Sequence, residues 1–159
     1  MSNVISVGMA DFKTAKTPDI LLTAGLGSCI GICIHDPLLK VGGMAHIMLP
    51  TASGMGGNPA KYADTAIELM LKEIFRLGAN HSRLRAKMAG GAQMFSFPGK
   101  QPVLKIGERN AEAVEQELKK NGIPLLIADV GGSFGRTIHF DVGTGKLHIR
   151  TINQGEKVI

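Results

Sequence analysis

At 159 residues the chain suits one domain around one sizeable core, expected to occupy residues 1–159. An apolar share of 44% excludes a disordered chain, and 4% aromatic residues with no Trp argue against the stacking platforms of single-strand nucleic-acid binders. A net charge of +5 favours an anionic partner without naming one, and no apolar run approaches the roughly 18 residues of a membrane span.

The first residues, MSNVISVGMADFK, lack a basic start followed by an apolar block, so a cytoplasmic location is expected, with Cys29 and Cys33 as free thiols. Residues 20–23 read as a short strand, and Gly25-Leu26-Gly27 as a connector. Residues 28–35 and 41–49 are β-branched and apolar, broken by His35-Asp36-Pro37, which is a hairpin signature. A four-residue loop Asp36-Pro37-Leu38-Leu39 sets His35 against Lys40. Counting outward then places Cys29 directly opposite His46, with Cβ atoms roughly 4.5–5.5 Å apart.

Residues 50–59 form a loop by composition. Asn58 is expected to cap a helix with Pro59 in its first position and Gly78 as its stop. Ala63, Ala66, Ile67, Met70, Leu71, Ile74 and Phe75 make its buried stripe. Residues 83–89 read as a strand carrying Arg83, Arg85 and Lys87 on one face, either solvated or a docking surface for acidic protein. Phe95-Ser96-Phe97-Pro98-Gly99 is a turn-rich loop with two apolar rings. A second helix begins between Gly107 and Asn110 and runs to Lys120, with Asn121-Gly122 as its stop. Residues 125–130, 136–142 and 146–152 are strands, the last two joined by Gly143-Thr144-Gly145. This order is no regular βαβ alternation. It predicts an α+β sandwich of mixed or antiparallel sheets with two main helices packed outside.

A thiol beside an imidazole can lose its proton on attacking a carbonyl, and the imidazole can return it to a leaving amine. Backbone N–H groups of Gly27, Ser28 and Cys29 are candidate oxyanion donors, with glycine permitting close substrate approach. Thr23, Ser28 and several carboxylates are open choices for orienting the histidine. The competing reading is core: cysteine is among the most buried residue types, and Cys33, between Ile32 and Ile34, is read that way. Zinc is disfavoured, because four residues of extended strand hold Cys29 and Cys33 roughly 13 Å apart. The Gly-rich segments 25–27 and 131–135 lead into strands and match no phosphate-binding fingerprint.

Further blocks complete a pattern. Thr23-Ala24-Gly25-Leu26-Gly27-Ser28-Cys29 is followed by Ile34-His35-Asp36 and Gly43-Met44-Ala45-His46-Ile47-Met48-Leu49-Pro50. Lys61-Tyr62-Ala63-Asp64, Lys87-Met88-Ala89-Gly90-Gly91-Ala92, Ile106-Gly107-Glu108-Arg109-Asn110, Asp129-Val130-Gly131-Gly132 and Gly135-Arg136 continue it. Over nearly the whole chain this resembles the CheD chemoreceptor glutamine deamidases. The resemblance implies hydrolysis of receptor glutamines to glutamate with release of ammonia, without metal or cofactor. It implies an α+β sandwich similar to the deamidase domain of cytotoxic necrotizing factor toxins. Carried over, Cys29 is the nucleophile, His46 the general base and acid, and Thr23 the residue that orients His46. Implied partners are the methyl-accepting chemotaxis receptors and the CheC phosphatase; nucleic acid and membrane insertion are not expected. The rival class is a regulator that binds CheC and raises its activity, with Phe95 and Phe97 as candidate contacts.

Overall fold

Residues Ile30–Asp36 and Val41–Ile47 are buried at every position, so their near-continuous apolar runs serve a strand pair covered on both faces. The computed structural model describes residues 3–54, 56–94 and 105–159. In chain order its elements are β1 (Val4–Ser6), β2 (Asp11–Lys16), β3 (Ile20–Leu26), β4 (Ile30–Asp36), β5 (Val41–Ile47), α1 (Ala63–Arg76), β6 (Arg85–Gly90), α2 (Ile106–Lys120), β7 (Leu125–Val130), β8 (Arg136–Asp141), β9 (Leu147–Thr151) and β10 (Gly155–Val158). Among the described residues the strands form two five-stranded sheets, ordered β1-β3-β8-β9-β10 and β2-β5-β4-β6-β7. Both are mixed: β1 runs parallel to β3 and β6 parallel to β7, and the other pairings are antiparallel. No described helix is long and apolar enough to cross a membrane.

The alternation of β4 divides the core. Ile30, Ile32 and Ile34 pack outward with Ile67, Met70, Leu71 and Ile74 of α1 and with Val114 and Leu118 of α2. Cys29 and Cys33 point the other way, among Leu21, Leu26, Met44, Ala89, Ile138 and Phe140 between the sheets. The layers therefore run sheet, sheet, helices. This is the α+β architecture with two outer helices that the order of elements predicts.

Several details differ from expectation. Asn58 Oδ1 accepts the Ala60 N–H at 3.0 Å, but it caps a single 3-10 turn, Pro59–Lys61. Extended Tyr62 breaks that turn, and α1 starts only at Ala63. Phe75, expected on the buried stripe, is 40% exposed and tilts against His81. Arg83 lies in a 3-10 turn (His81–Arg83), and the strand begins at Arg85. Strands β1, β2 and β10 carry no sequence signal strong enough to predict. They are short or polar, and neighbours pair them rather than their own apolar alternation. Phe95 and Phe97 lie outside the described residues.

Candidate active site

The hairpin exists, but its register differs from the count by two. Strand β4 continues through Asp36, which pairs with Val41, and the four-residue loop is Pro37-Leu38-Leu39-Lys40. Asp36 causes the displacement: its Oδ1 accepts the N–H groups of Leu38 and Leu39 at 3.0 and 3.1 Å. Lys40, at φ 58°, closes the loop and donates its N–H to Asp36 O. Gly31, not Cys29, therefore stands opposite His46. A shift of two preserves the face, so Cys29 becomes a diagonal neighbour of His46, at the roughly 7–8 Å spacing that long side chains span. The direct partner is a glycine, and side chains of the other sheet fill the room it leaves: a Cβ at Gly31 would lie 2.5 Å from Ile138 Cδ1 and 3.2 Å from Leu26 Cδ1. Cys33 is the opposite diagonal and is fully sealed, its thiol pushed far up by burial; Cys29 is 8% exposed.

Thr23 reaches this face from the other sheet. Its hydroxyl donates to Val7 O at 2.7 Å and sits 2.8 Å from His46 Nδ1. A hydroxyl has one proton, and the carbonyl can only accept, so toward the imidazole Thr23 accepts. Nδ1 then carries the ring proton and Nε2 is a bare lone pair. Nε2 is buried and has no partner among the described residues. Burial lowers the His46 pKa and raises that of Cys29, so both rest uncharged near neutrality. An unpaired, neutral imidazole nitrogen held in fixed orientation is equipped to take a proton from a thiol that reaches it, although no hydrogen bond joins it to Cys29 Sγ among the described residues.

The segment leading into β4 is tied down carbonyl by carbonyl. Gly27 O accepts from Ala92 N–H at 2.8 Å, Cys29 O from Gly91 N–H at 2.9 Å, and Ser28 O from Asn110 Nδ2 at 3.0 Å. Gly27 N–H is committed to Gly25 O at 3.1 Å. The N–H groups of Ser28 and Cys29 meet no acceptor among the described residues, which narrows the donor candidates to those two. Asn110 is the site residue that spacing does not reveal. Its block Ile106-Gly107-Glu108-Arg109-Asn110 stands out in the sequence, but only the packing of α2 places it beneath Ser28.

Other candidates are elsewhere or otherwise engaged. Among the described residues, no three His, Cys, Asp or Glu side chains cluster as metal ligands. His35 packs edge-on to Phe140. The three basic residues expected on one strand face each have partners within the fold, Arg85 Nη1 donating to Leu84 O at 2.8 Å. Arg83 is committed to buried Asp36 at 2.8 Å, and Lys87 Nζ donates to Gly145 O and Ile159 O at 2.7 and 2.9 Å. A cavity of about 250 Å³, lined by Gly91, Lys105, Gly107, Glu108 and Gly131 among others, contains neither Cys29 nor His46.

The fold and this geometry define a class: a mixed β-sandwich holding a thiol and a Thr-oriented imidazole on one inner strand face. Comparison with known proteins supplies the family. The family described as CheD chemotactic sensory transduction matches residues 48–151. A probable chemoreceptor glutamine deamidase CheD of Desulfitobacterium hafniense (strain DSM 10664 / DCB-2) is 80% identical over 100% of both chains. A probable chemoreceptor glutamine deamidase CheD of Syntrophomonas wolfei is 54% identical, and the chemoreceptor glutamine deamidase CheD of Halalkalibacterium halodurans 52%, each over 100% of both chains. A solved structure, the hypothetical protein YfiH of Bacillus licheniformis, superposes on 75% of this chain and 50% of its own, with TM-score 0.49 and 17% identity. The chain belongs to the CheD family.

Proposed function

We propose that this protein hydrolyses selected glutamine side chains of methyl-accepting chemotaxis receptors to glutamate, releasing ammonia, with Cys29 as nucleophile. The observation that carries the reading is the full-length 80% identity to a protein named a chemoreceptor glutamine deamidase. The bare Nε2 of His46 supports the mechanism. On attack the Cys29 proton passes to Nε2 and sulfur bonds to the carboxamide carbon. The oxyanion lies against the N–H groups of Ser28 and Cys29. His46 then protonates the departing nitrogen, leaving a thioester and ammonia. Water adds to the thioester as His46 takes one of its protons, that proton returns to sulfur as the C–S bond breaks, and the glutamic acid so formed gives its remaining proton to solvent. Throughout, Thr23 holds the Nδ1–H, so the working nitrogen stays Nε2. The α+β sandwich fits the proposed kinship with the deamidase domain of cytotoxic necrotizing factor toxins. A complex with the CheC phosphatase belongs to the same proposal on the family resemblance.

Mass spectrometry of a receptor cytoplasmic fragment incubated with the protein tests the reading. Wild type is expected to add the mass of an amide-to-acid conversion at particular glutamines, and Cys29→Ala to add none. Conversion by Cys29→Ala at the wild-type rate would rule the mechanism out.

A further inference from the structure

We propose that Asn110 is a positioning residue for this reaction, setting the plane of the Ser28–Cys29 peptide and so aiming the Cys29 N–H at the oxyanion. The inference deepens, and rests on, the reading of Cys29 as nucleophile. Asn110 is fully buried on α2, and its Nδ2 donates to both Ser28 O and Met48 O at 3.0 Å. One amide thus joins the segment before β4 to the chain leaving β5. It does so just beyond Ile30 and Ile47, where the ladder that carries His46 stops and Cys29 precedes it.

The bond to Ser28 O has a consequence for its neighbour. A trans peptide carries its C=O and N–H on opposite sides of one rigid plane. Holding the Ser28 carbonyl toward α2 turns the Cys29 N–H away from α2, toward the inter-sheet side on which the thiol packs. Gly27 O and Cys29 O are held by main-chain N–H groups of Ala92 and Gly91, which side-chain identity there does not change. Ser28 O alone of the three depends on a side chain. Gly107 brings that side chain in: a Cβ there would meet Gly91 O at 2.4 Å and Ala92 O at 2.6 Å, so its absence lets α2 lie against them. Three residues on, Asn110 falls on the same helix face. Stability alone accounts poorly for it. Asn is a weak helix former, and its Oδ1 is buried with no partner among the described residues.

The test compares wild type, Asn110→Ala and the volume-conserving Asn110→Asp, whose carboxylate cannot donate, on the receptor fragment. We expect kcat to fall about 10²- to 10³-fold, the cost of one oxyanion donor, with KM changed far less. Alkylation by iodoacetamide, mapped to Cys29, builds no oxyanion. Its rate and pH dependence should match wild type in both variants. Wild-type kcat in the variants would overturn the inference, as would alkylation that changes in step with turnover, because Asn110 would then be holding the whole site. Failure of both variants to fold would overturn it too, since the residue would be serving the fold. Cys29→Ala runs alongside. If it deamidates, or wild type does not, the reading of the site falls and this inference with it. If only the Asn110 variants behave as wild type, this inference falls alone.

Discussion

His46 illustrates how one hydrogen bond assigns chemistry. Because the Thr23 hydroxyl spends its proton on Val7 O, it can only accept from the imidazole, and the ring is fixed as the Nδ1–H tautomer. Thr23→Val removes that acceptor while keeping the shape, and is expected to lower turnover about 10²-fold, in the range of general acid–base effects. Thr23→Ser should retain most activity; ammonia release by both variants checks the pair. The pH profile follows from the same residue. Burial lowers the His46 pKa, so the neutral base persists to lower pH than an exposed histidine would allow. The acid limb of kcat/KM is therefore expected below the ordinary histidine range. A limb at or above that range would contradict the assignment of His46 as base.

At the scale of elements, the junction between β4 and β6 holds the Cys29 backbone in place. Gly90 sits at φ 119°, and a Cβ there would lie 2.2 Å from Cys29 O, against backbone that cannot yield. Gly90→Ala is expected to destabilise the protein by about 2 kcal/mol or more and to remove deamidation, as urea unfolding and ammonia release would record. Gly8→Ala is the matched control, since a Cβ at Gly8 meets nothing within 4 Å; both readouts should stay near wild type. The hairpin shows how a turn sets a register. A count from residue types puts the loop one position early because Asp36 reads as a turn former. Its carboxylate does serve the turn, accepting from Leu38 and Leu39, while its backbone stays in the ladder opposite Val41. Only the path of the main chain distinguishes the two.

Across the whole molecule, Asp36 also anchors the helix-side chain to the sandwich. Arg83 is its main partner, and the N–H groups of Asn80, Leu39 and Leu38 add to the hold, keeping its carboxyl well below the usual carboxylate range against the opposing effect of burial. The folded state then binds fewer protons than the unfolded chain. The stability this confers is complete above the ordinary carboxylate range and is lost as pH falls toward the depressed folded value. Asp36→Asn is expected to cost about 2 kcal/mol at neutral pH, with a smaller difference from wild type in strong acid. Urea unfolding across pH measures both. An unchanged difference at every pH would contradict this account.

The order of elements from β3 to β9, the α+β class, the apolar stripe of α1 up to Ile74 and the face shared by Cys29 and His46 follow from residue pattern alone. They depend on periodicity, which is local, and a register error of two leaves a face intact. The rest needed distant parts of the chain to meet. Spacing left the orienting group open because Thr23 belongs to the other sheet. The partners of Arg83 and Lys87, namely Asp36 and the carbonyls of Gly145 and Ile159, are equally invisible to spacing. Asn110 touches the site only because Gly107 lets a helix some eighty residues downstream of Ser28 lie against the end of β6. Hydrogen bonds are short-ranged in space and indifferent to distance along the chain, so these partners were decided by tertiary packing.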